Sequence, residues 1–274
     1  MSDPRAALFK PLEKLEETLG EYFELLKSER EARVRAETAN RQKDEFLMIV
    51  AHELRNPLNL IAGWLKLLQC EKLNEQAARR AIEAINRGVK RQVSLIEDLL
   101  DVSQISNGKL HLNLREIEIA PVLEDILSDF KVLAEAKQID LETVFASNLG
   151  RLTADPYRLE QVLWNLLANA VKFTARGGKI CVEAGRQEPY VEITVSDTGR
   201  GIDTEFLPFV FEPFRQAERS ADAKPEGLGL GLSIVRQIIE LHGGSIKADS
   251  AGCGHGAVFT IQLSCHSSES ALVR

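Results

Sequence analysis

Apolar residues in the first 68 positions recur in alternating steps of four and three: Leu8, Leu12, Leu15, Leu19, Tyr22 and Leu26, then Leu47, Ala51, Leu54, Leu58, Ile61, Leu65 and Leu68. A seven-residue repeat of this kind sets one apolar seam along a helix, and another helix is what buries such a seam. Leu26 and Leu47 are three whole heptads apart, so the two runs are in phase. Between them the seam positions read Glu29, Arg33, Ala36, Asn40 and Lys43. The pattern predicts one long coiled-coil helix with a polar, weakly packed middle; two helices with a disordered join are the alternative. A polar middle gains little from burial and is expected to act as a switch between alternative packings. Breakers agree with the helix. Between Pro11 and Pro121 the sole proline is Pro57, and only five of the 18 glycines precede Gly177. Pro57 should bend the helix without ending it.

After a short break at residues 70–75, a second helix carries Ala78, Ile82, Ile85, Val89, Ile96, Leu99 and Ser103 in heptad steps. Two helices joined by a short loop form a hairpin with one apolar stripe. A hairpin cannot bury that stripe alone, so a homodimer closing a four-helix bundle is expected.

Composition excludes several classes. Lys+Arg 34 against Asp+Glu 41 gives −7, which disfavours nucleic acid as a partner. No apolar run approaches the ~20 residues of a membrane span, and the N-terminus lacks the apolar core of a secretory signal. Cys70, Cys181, Cys253 and Cys265 lie far apart with no CxxC pair. That argues against a zinc ribbon or a disulfide framework and fits a reducing cytoplasm.

The pattern changes after Asn107-Gly108. Alternation predicts strands at 109–116, 139–145, 179–183, 190–196, 244–248 and 257–263. Helices are expected at 121–137, started by Pro121, at 156–171 with Asp155 as N-cap, and at 232–241, ending at Gly243-Gly244. This mixture, outside strict βαβ order, predicts an α+β chain whose second half is a sandwich. Residues 265–274 are expected to be a tail.

Several residues suggest chemistry. His52 follows the seam residue Ala51 and so points outward, with Asn56 one turn on and Glu53 adjacent. An exposed imidazole beside a carboxylate can act as a nucleophile while Glu53 accepts its proton; alone, it reads far more readily as a surface histidine on a solvated helix. Asn165 and Asn169, one turn apart with Lys172 beyond, suit phosphates and Mg²⁺, a hard cation that takes oxygen ligands; capping amides are the alternative. Asp197 ends a strand and opens Asp197-Thr198-Gly199-Arg200-Gly201, where a carboxylate can accept from an adenine amine and glycines admit a ligand. Gly227, Gly229 and Gly231 lead straight into a helix whose N-terminus can hold phosphates, though neither the P-loop nor the dinucleotide fingerprint fits. Phe211-Glu212-Pro213-Phe214, before the charged stretch 215–226, suggests a hinged lid; simple anchoring of a loop is the alternative.

The order of these segments is more specific than any one of them. AHELRNPL, NLLANAVKF, DTGRGI, FEPF and GLGLGLSI resemble, in sequence order, the H, N, first glycine, F and second glycine boxes of the sensor histidine kinases of two-component signalling, over residues 43–263. The resemblance implies a coiled-coil signalling helix (1–42), a dimerisation and histidine phosphotransfer domain (43–107), an α/β-sandwich ATP-binding domain (108–264) and a tail (265–274). It implies His52 as the phosphorylated histidine and Asn165 as the Mg²⁺ ligand. Asn169 and Lys172 would stand near the nucleotide's phosphates, Asp197 would accept from adenine, Gly199 and Gly201 would form the adenine-side turn, and Gly227, Gly229 and Gly231 would end the lid near the triphosphate. Glu53 and Asn56 match the family's E-x-x-[TN] phosphatase motif. Two positions depart from the commonest pattern: Asn56 stands where threonine is most frequent, and Leu228 where a small or hydroxylated residue is common.

The expectation is therefore a homodimeric, cytoplasmic, ATP- and Mg²⁺-dependent kinase that phosphorylates His52. Since no receiver domain follows Leu263, it would hand the phosphoryl group to a separate response regulator, and a separate sensor or upstream domain would supply the signal. An ATPase of the same nucleotide-binding superfamily, such as a chaperone or topoisomerase fragment, and a non-catalytic dimeric scaffold are the rivals. The HELRNP segment on a heptad helix argues against the first, and His52, Asn165, Asp197 and the three loop glycines against the second.

Overall fold

A computed structural model describes residues 6–69, 74–216 and 228–265. The side chains of Leu8, Leu12, Leu15, Ala36 and Lys43 also lie outside that description, as do the break at 70–73, the lid stretch 217–227 with Gly227, and the tail beyond Cys265. The chain divides into two compact units, Met1–Asn56 and Pro57–Arg274.

Helix α1, Ala6–Leu68, runs through Pro57 without a break, so the single long helix is the form adopted. In the first unit its seam residues Leu19, Tyr22, Leu26 and Leu47 are more than half exposed. An i,i+4 ion pair, Arg33 to Glu37 at 2.8 Å, spans part of the polar middle.

In the second unit, α2 (Glu75–Ser106) starts at Asn74, whose side chain accepts from the Ala77 N–H. Its contact with α1 uses small residues. A Cβ on Gly88 would stand 2.7 Å from Ile61 Cγ1, and Ala81 and Ala84, on the same helix face, are buried. The heptad stripe is the other face: Ile82, Val89 and Ile96 are about half exposed, as are Leu58 and Leu65 of α1. The stripe that a hairpin was expected not to bury alone is thus left outward within one chain, because Ala and Gly let the two backbones approach on their own side.

The remainder is a layer of three helices on a mixed sheet. Strands β1 (Arg115–Glu118) and β3 (Arg151–Ala154) pair antiparallel. Strands β2 (Asp140–Phe145), β4 (Lys179–Gln187), β5 (Tyr190–Asp197), β6 (Ser245–Asp249) and β7 (Ala257–Ser264) form a sheet of order β2-β4-β5-β7-β6, parallel only between β2 and β4. Ile180 and Val182 of β4, Ile193 and Val195 of β5, and Phe259 and Ile261 of β7 share one buried face. Helices α3 (Ile119–Lys137), α4 (Pro156–Phe173) and α5 (Gly231–Leu241) cover it with Leu123, Phe130, Leu163, Leu167, Ile234 and Ile238.

Two expectations need correction. The first strand begins at Arg115, not at 109: Leu110 is buried but Leu114 is exposed, and the Asn113 N–H goes to Asp155 Oδ2 rather than to a ladder. Strand β3, its partner, was not foreseen at all. Helix α3 also starts two residues before Pro121, which its first turn tolerates because those N–H groups lack intrahelical partners.

One buried knot sets where α4 starts. Asp155 Oδ1 accepts from the N–H groups of Tyr157 and Arg158 while Oδ2 accepts from Asn113. The Asp155 N–H itself donates to His242 Nε2 at 3.0 Å, and His242 Nδ1 donates to the Ile238 carbonyl at 2.7 Å. His242 is therefore a neutral imidazole tying the end of α5 to the start of α4. Burial pushes its pKa below the ordinary value, against the pull of the Ile238 bond.

Candidate nucleotide pocket and histidine site

A cavity of about 460 Å³ opens in the second unit, within the size range of small-molecule sites. Helix α4 supplies Asn165, Asn169, Lys172 and Phe173 to its lining. The Asn165 amide N–H donates to the Gln161 carbonyl at 3.1 Å, which leaves Oδ1 turned toward the start of α5. A Cβ on Gly231 would come 2.8 Å from that oxygen, so a larger residue there would displace the Asn165 amide. Among the described residues no cluster of three His, Cys, Asp or Glu could hold a metal. A cation here would have Asn165 Oδ1 together with a ligand's own oxygens and water, which is how Mg²⁺ is commonly held.

The other lip is the turn after β5. Asp197 Oδ1 accepts from the Gly199 N–H at 2.8 Å. Burial pushes the Asp197 carboxyl above its ordinary value, against the downward pull of the Gly199 and Ala257 backbone donors. Gly201 has φ +70° and lines the cavity; a Cβ there would stand 2.1 Å from the Gly252 carbonyl oxygen. Gly199 is not among the lining residues. Its place is behind them, where a Cβ would meet the Phe173 carbonyl oxygen at 2.6 Å. The loop holding this turn was not singled out from the sequence: the Gly254 N–H donates to the Arg200 carbonyl, the Gly256 N–H to Gly199, and Ser250 Oγ accepts from Ile202. The recurrence Gly252-x-Gly254-x-Gly256 was the available signal.

The two stems of the lid stretch meet. The Phe214 N–H donates to the Gly229 carbonyl at 3.1 Å, and a Cβ on Gly229 (φ +69°) would touch the Arg215 carbonyl oxygen at 2.7 Å. Leu228, the unusual residue, is buried. Gly229 and Gly231 line the cavity, and α5 begins without a side-chain cap on its first N–H groups, a surface ready for anions. Among the described residues Arg91, Lys172, Arg200 and Arg215 line the cavity with two carboxylates, Asp98 and Asp197, and Arg215 is paired with Glu212 at 3.1 Å. The chain as a whole is −7, yet the described lining of this hollow is net cationic. Arg200 also lies over the Phe173 ring at 4.1 Å. The lining residues Arg91, Ser94, Leu95 and Asp98 of α2 were not singled out from the sequence, whose heptad positions fall on other residues of that helix.

The first unit holds the other constellation. The His52 side chain is 72% exposed. Its Nδ1 is 3.2 Å from Asn56 Nδ2 and 3.8 Å from Glu53 Oε1, and Glu53 is buried. The helical period brings the three groups together as expected.

Among the described residues no helix is long and apolar enough to cross a membrane. Residues 42–108 match the His Kinase A (phospho-acceptor) domain, and residues 154–267 match the histidine kinase-, DNA gyrase B- and HSP90-like ATPase domain. The chain is 35% identical over 269 residues to hybrid signal transduction histidine kinase D of Dictyostelium discoideum, covering 82% of this chain and 17% of that protein. It resembles the structure of the histidine kinase AdeS of Acinetobacter baumannii at TM-score 0.61 and 27% identity, over 79% of this chain and 98% of that one. It also resembles the histidine kinase ThkA in complex with the response regulator protein TrrA, at TM-score 0.62 and 25% identity, over 81% and 61%. Against the first curated relatives it spans from 17% to 44% of their length. With a phospho-acceptor domain around His52 and an ATPase domain around the net-cationic cavity, the chain belongs to the sensor histidine kinases of two-component signalling.

Proposed function

We propose that this chain is an ATP-dependent protein-histidine kinase that phosphorylates His52 and passes the phosphoryl group to an aspartate of a response regulator. The observation that carries the reading is the convergence of Asn165, Asn169, Lys172, Asp197, Gly201, Gly229 and Gly231, from segments far apart in sequence, on one cationic hollow. Asp197 would accept from the adenine amine, Gly199 and Gly201 would shape the turn beside it, and the start of α5 with Lys172 and Asn169 would hold the phosphates. Gly227 would belong to the same lid end. Asn165 Oδ1 would be the protein ligand of Mg²⁺, which supplies charge neutralisation along the phosphates.

His52 Nε2 would attack the γ-phosphorus in line: the N–P bond forms, the bond to the bridging oxygen breaks, and ADP leaves with that electron pair. For Nε2 to offer its lone pair, the ring's proton must sit on Nδ1. Glu53 is the base that receives it, and Asn56, turning its amide oxygen to Nδ1, fixes the tautomer. Such transfer depends mainly on positioning and electrostatics. Asn56 would also orient a water at a docked aspartyl phosphate, giving phosphatase activity.

A homodimer would cover the outward stripe of Ile82, Val89, Ile96, Leu58 and Leu65. We assign residues 1–42 to the signalling helix, 43–107 to dimerisation and phosphotransfer, and 108–264 to nucleotide binding, working in the cytoplasm under an upstream sensor. Incubation with γ-labelled ATP tests the reading. Acid-labile, base-stable label should appear, and should vanish in His52→Gln while nucleotide affinity is retained. ATP hydrolysis without label would favour the chaperone-like rival, and neither activity would favour the scaffold.

A further inference from the structure

Arg91, Ser94, Leu95 and Asp98 stand at i, i+3, i+4 and i+7, one face of α2, and all four line the nucleotide cavity. Less than one turn beyond, Asp101 is 6% exposed. Its Oδ1 accepts from Arg158 Nη1 at 2.7 Å and its Oδ2 from Gln161 Nε2 at 2.6 Å, while Arg158 Nη1 also donates to Gln161 Oε1 at 2.8 Å. This closed triangle is a latch. It pins α2 to α4 one turn before Asn165, and so holds Asp98 in the wall of the cavity.

The charge on Asp98 matters because of what it would meet. A nucleoside triphosphate brings several negative charges into a hollow of about 460 Å³. The cations Arg91, Lys172, Arg200 and Arg215 line the same space, with Asp197 the other carboxylate, while Arg158 is engaged by the latch. Those cations do not offset the surroundings of Asp98. Burial first, then Asp101 and Glu97, push its carboxyl up to about 6. At neutral pH it is still mostly ionised, and a fixed negative charge in a partly desolvated wall opposes an incoming polyanion far more than one in water would.

We propose that Asp98 is a charge-selecting residue of the nucleotide site: while the Asp101–Arg158–Gln161 latch is closed, its carboxylate makes the cavity discriminate against the more highly charged adenine nucleotides. The inference rests on the reading of the cavity as an adenine-nucleotide site. Opening the latch would carry Asp98 away with α2 and lift the discrimination, so the attachment of the hairpin helix would set which nucleotide the pocket retains.

The test is calorimetric titration of the full chain with adenosine, ADP and ATP, in EDTA so that no metal enters. Asp98→Asn keeps the shape of the side chain. It should strengthen ATP binding on the order of tenfold, ADP binding less, and adenosine binding not at all. Asp101→Ala should produce the same ladder, and Asp98→Asn should add nothing in that background. The paired Asp101→Ala/Arg158→Ala is a second latch-free form that strands no charge. An unchanged ATP-to-adenosine ratio in Asp98→Asn would overturn the proposal, as would a full gain from Asp98→Asn on top of the open latch. Absence of adenosine binding in every variant would overturn the nucleotide reading itself, and the proposal with it.

Discussion

Replacing Asp155 with alanine should be among the most damaging single changes in the nucleotide-binding part of the chain, and its size can be worked from the bonds. The carboxylate is 8% exposed and accepts three backbone N–H groups. Losing the cap over Tyr157 and Arg158 costs about 1–2 kcal/mol. Giving the N–H of the exposed Asn113 back to water adds about 0.5–1.5 kcal/mol. The expected loss is about 1.5–3.5 kcal/mol, a large share of the roughly 5–15 kcal/mol by which domains are stable. Equilibrium urea unfolding followed by far-ultraviolet circular dichroism reads it directly. Asp155→Ser separates the two parts, since a hydroxyl can still cap α4 but is too short to reach Asn113 as well. It should recover about 1 kcal/mol and no more. A loss below about 1 kcal/mol for alanine, or full recovery by serine, would refute the idea that one carboxylate ties the hairpin's exit to the start of α4.

Three further outcomes are expected. Asp197→Asn exchanges a charged acceptor for an amide and should weaken ATP binding roughly 10- to 150-fold, the loss of one charged hydrogen bond, while hydrodynamic size stays unchanged; equal affinity would remove Asp197 from the adenine role. Leu54→Asp puts a charge at a seam position at a cost of several kcal/mol, so light scattering should find a dimer for the parent, as proposed, and monomer for the variant. His242 has a folded pKa below its unfolded 6.5, so the unfolded chain takes up the proton first. Its contribution is full above pH 6.5 and declines as the pH falls toward the lowered folded value. Unfolding midpoints should therefore drop less between pH 7.5 and 5.5 in His242→Gln than in the parent, and identical slopes would show that the imidazole is not the sensitive group.

What the amino-acid order determined by itself is what repeats or ends within a few residues. The heptads from Leu8 to Leu68 specify a continuous helix because their period is local, and α1 runs unbroken through the described span. Asp155 before Pro156 announces a helix start for the same reason. His52, Glu53 and Asn56 meet because 3.6 residues make a turn. The alternation in β4, β5 and β7 was legible because one face of each is buried. Tertiary structure decided the rest. Leu110, Leu112 and Leu114 alternate like a strand, yet the Asn113 N–H is taken by a carboxylate 42 positions away, and pairing begins only at Arg115. Its partner β3 is four residues long, too short to carry a period of its own. The five motif segments could be seen to belong together only through their order; that most of them line one cavity is a fact of packing. Arg91, Asp98 and Asp101 look like any solvated helix face until α2 lies along α4. Whether a charged side chain on such a face meets water, a nucleotide cavity or Arg158 depends on which segment the fold brings against it, and no local pattern encodes that.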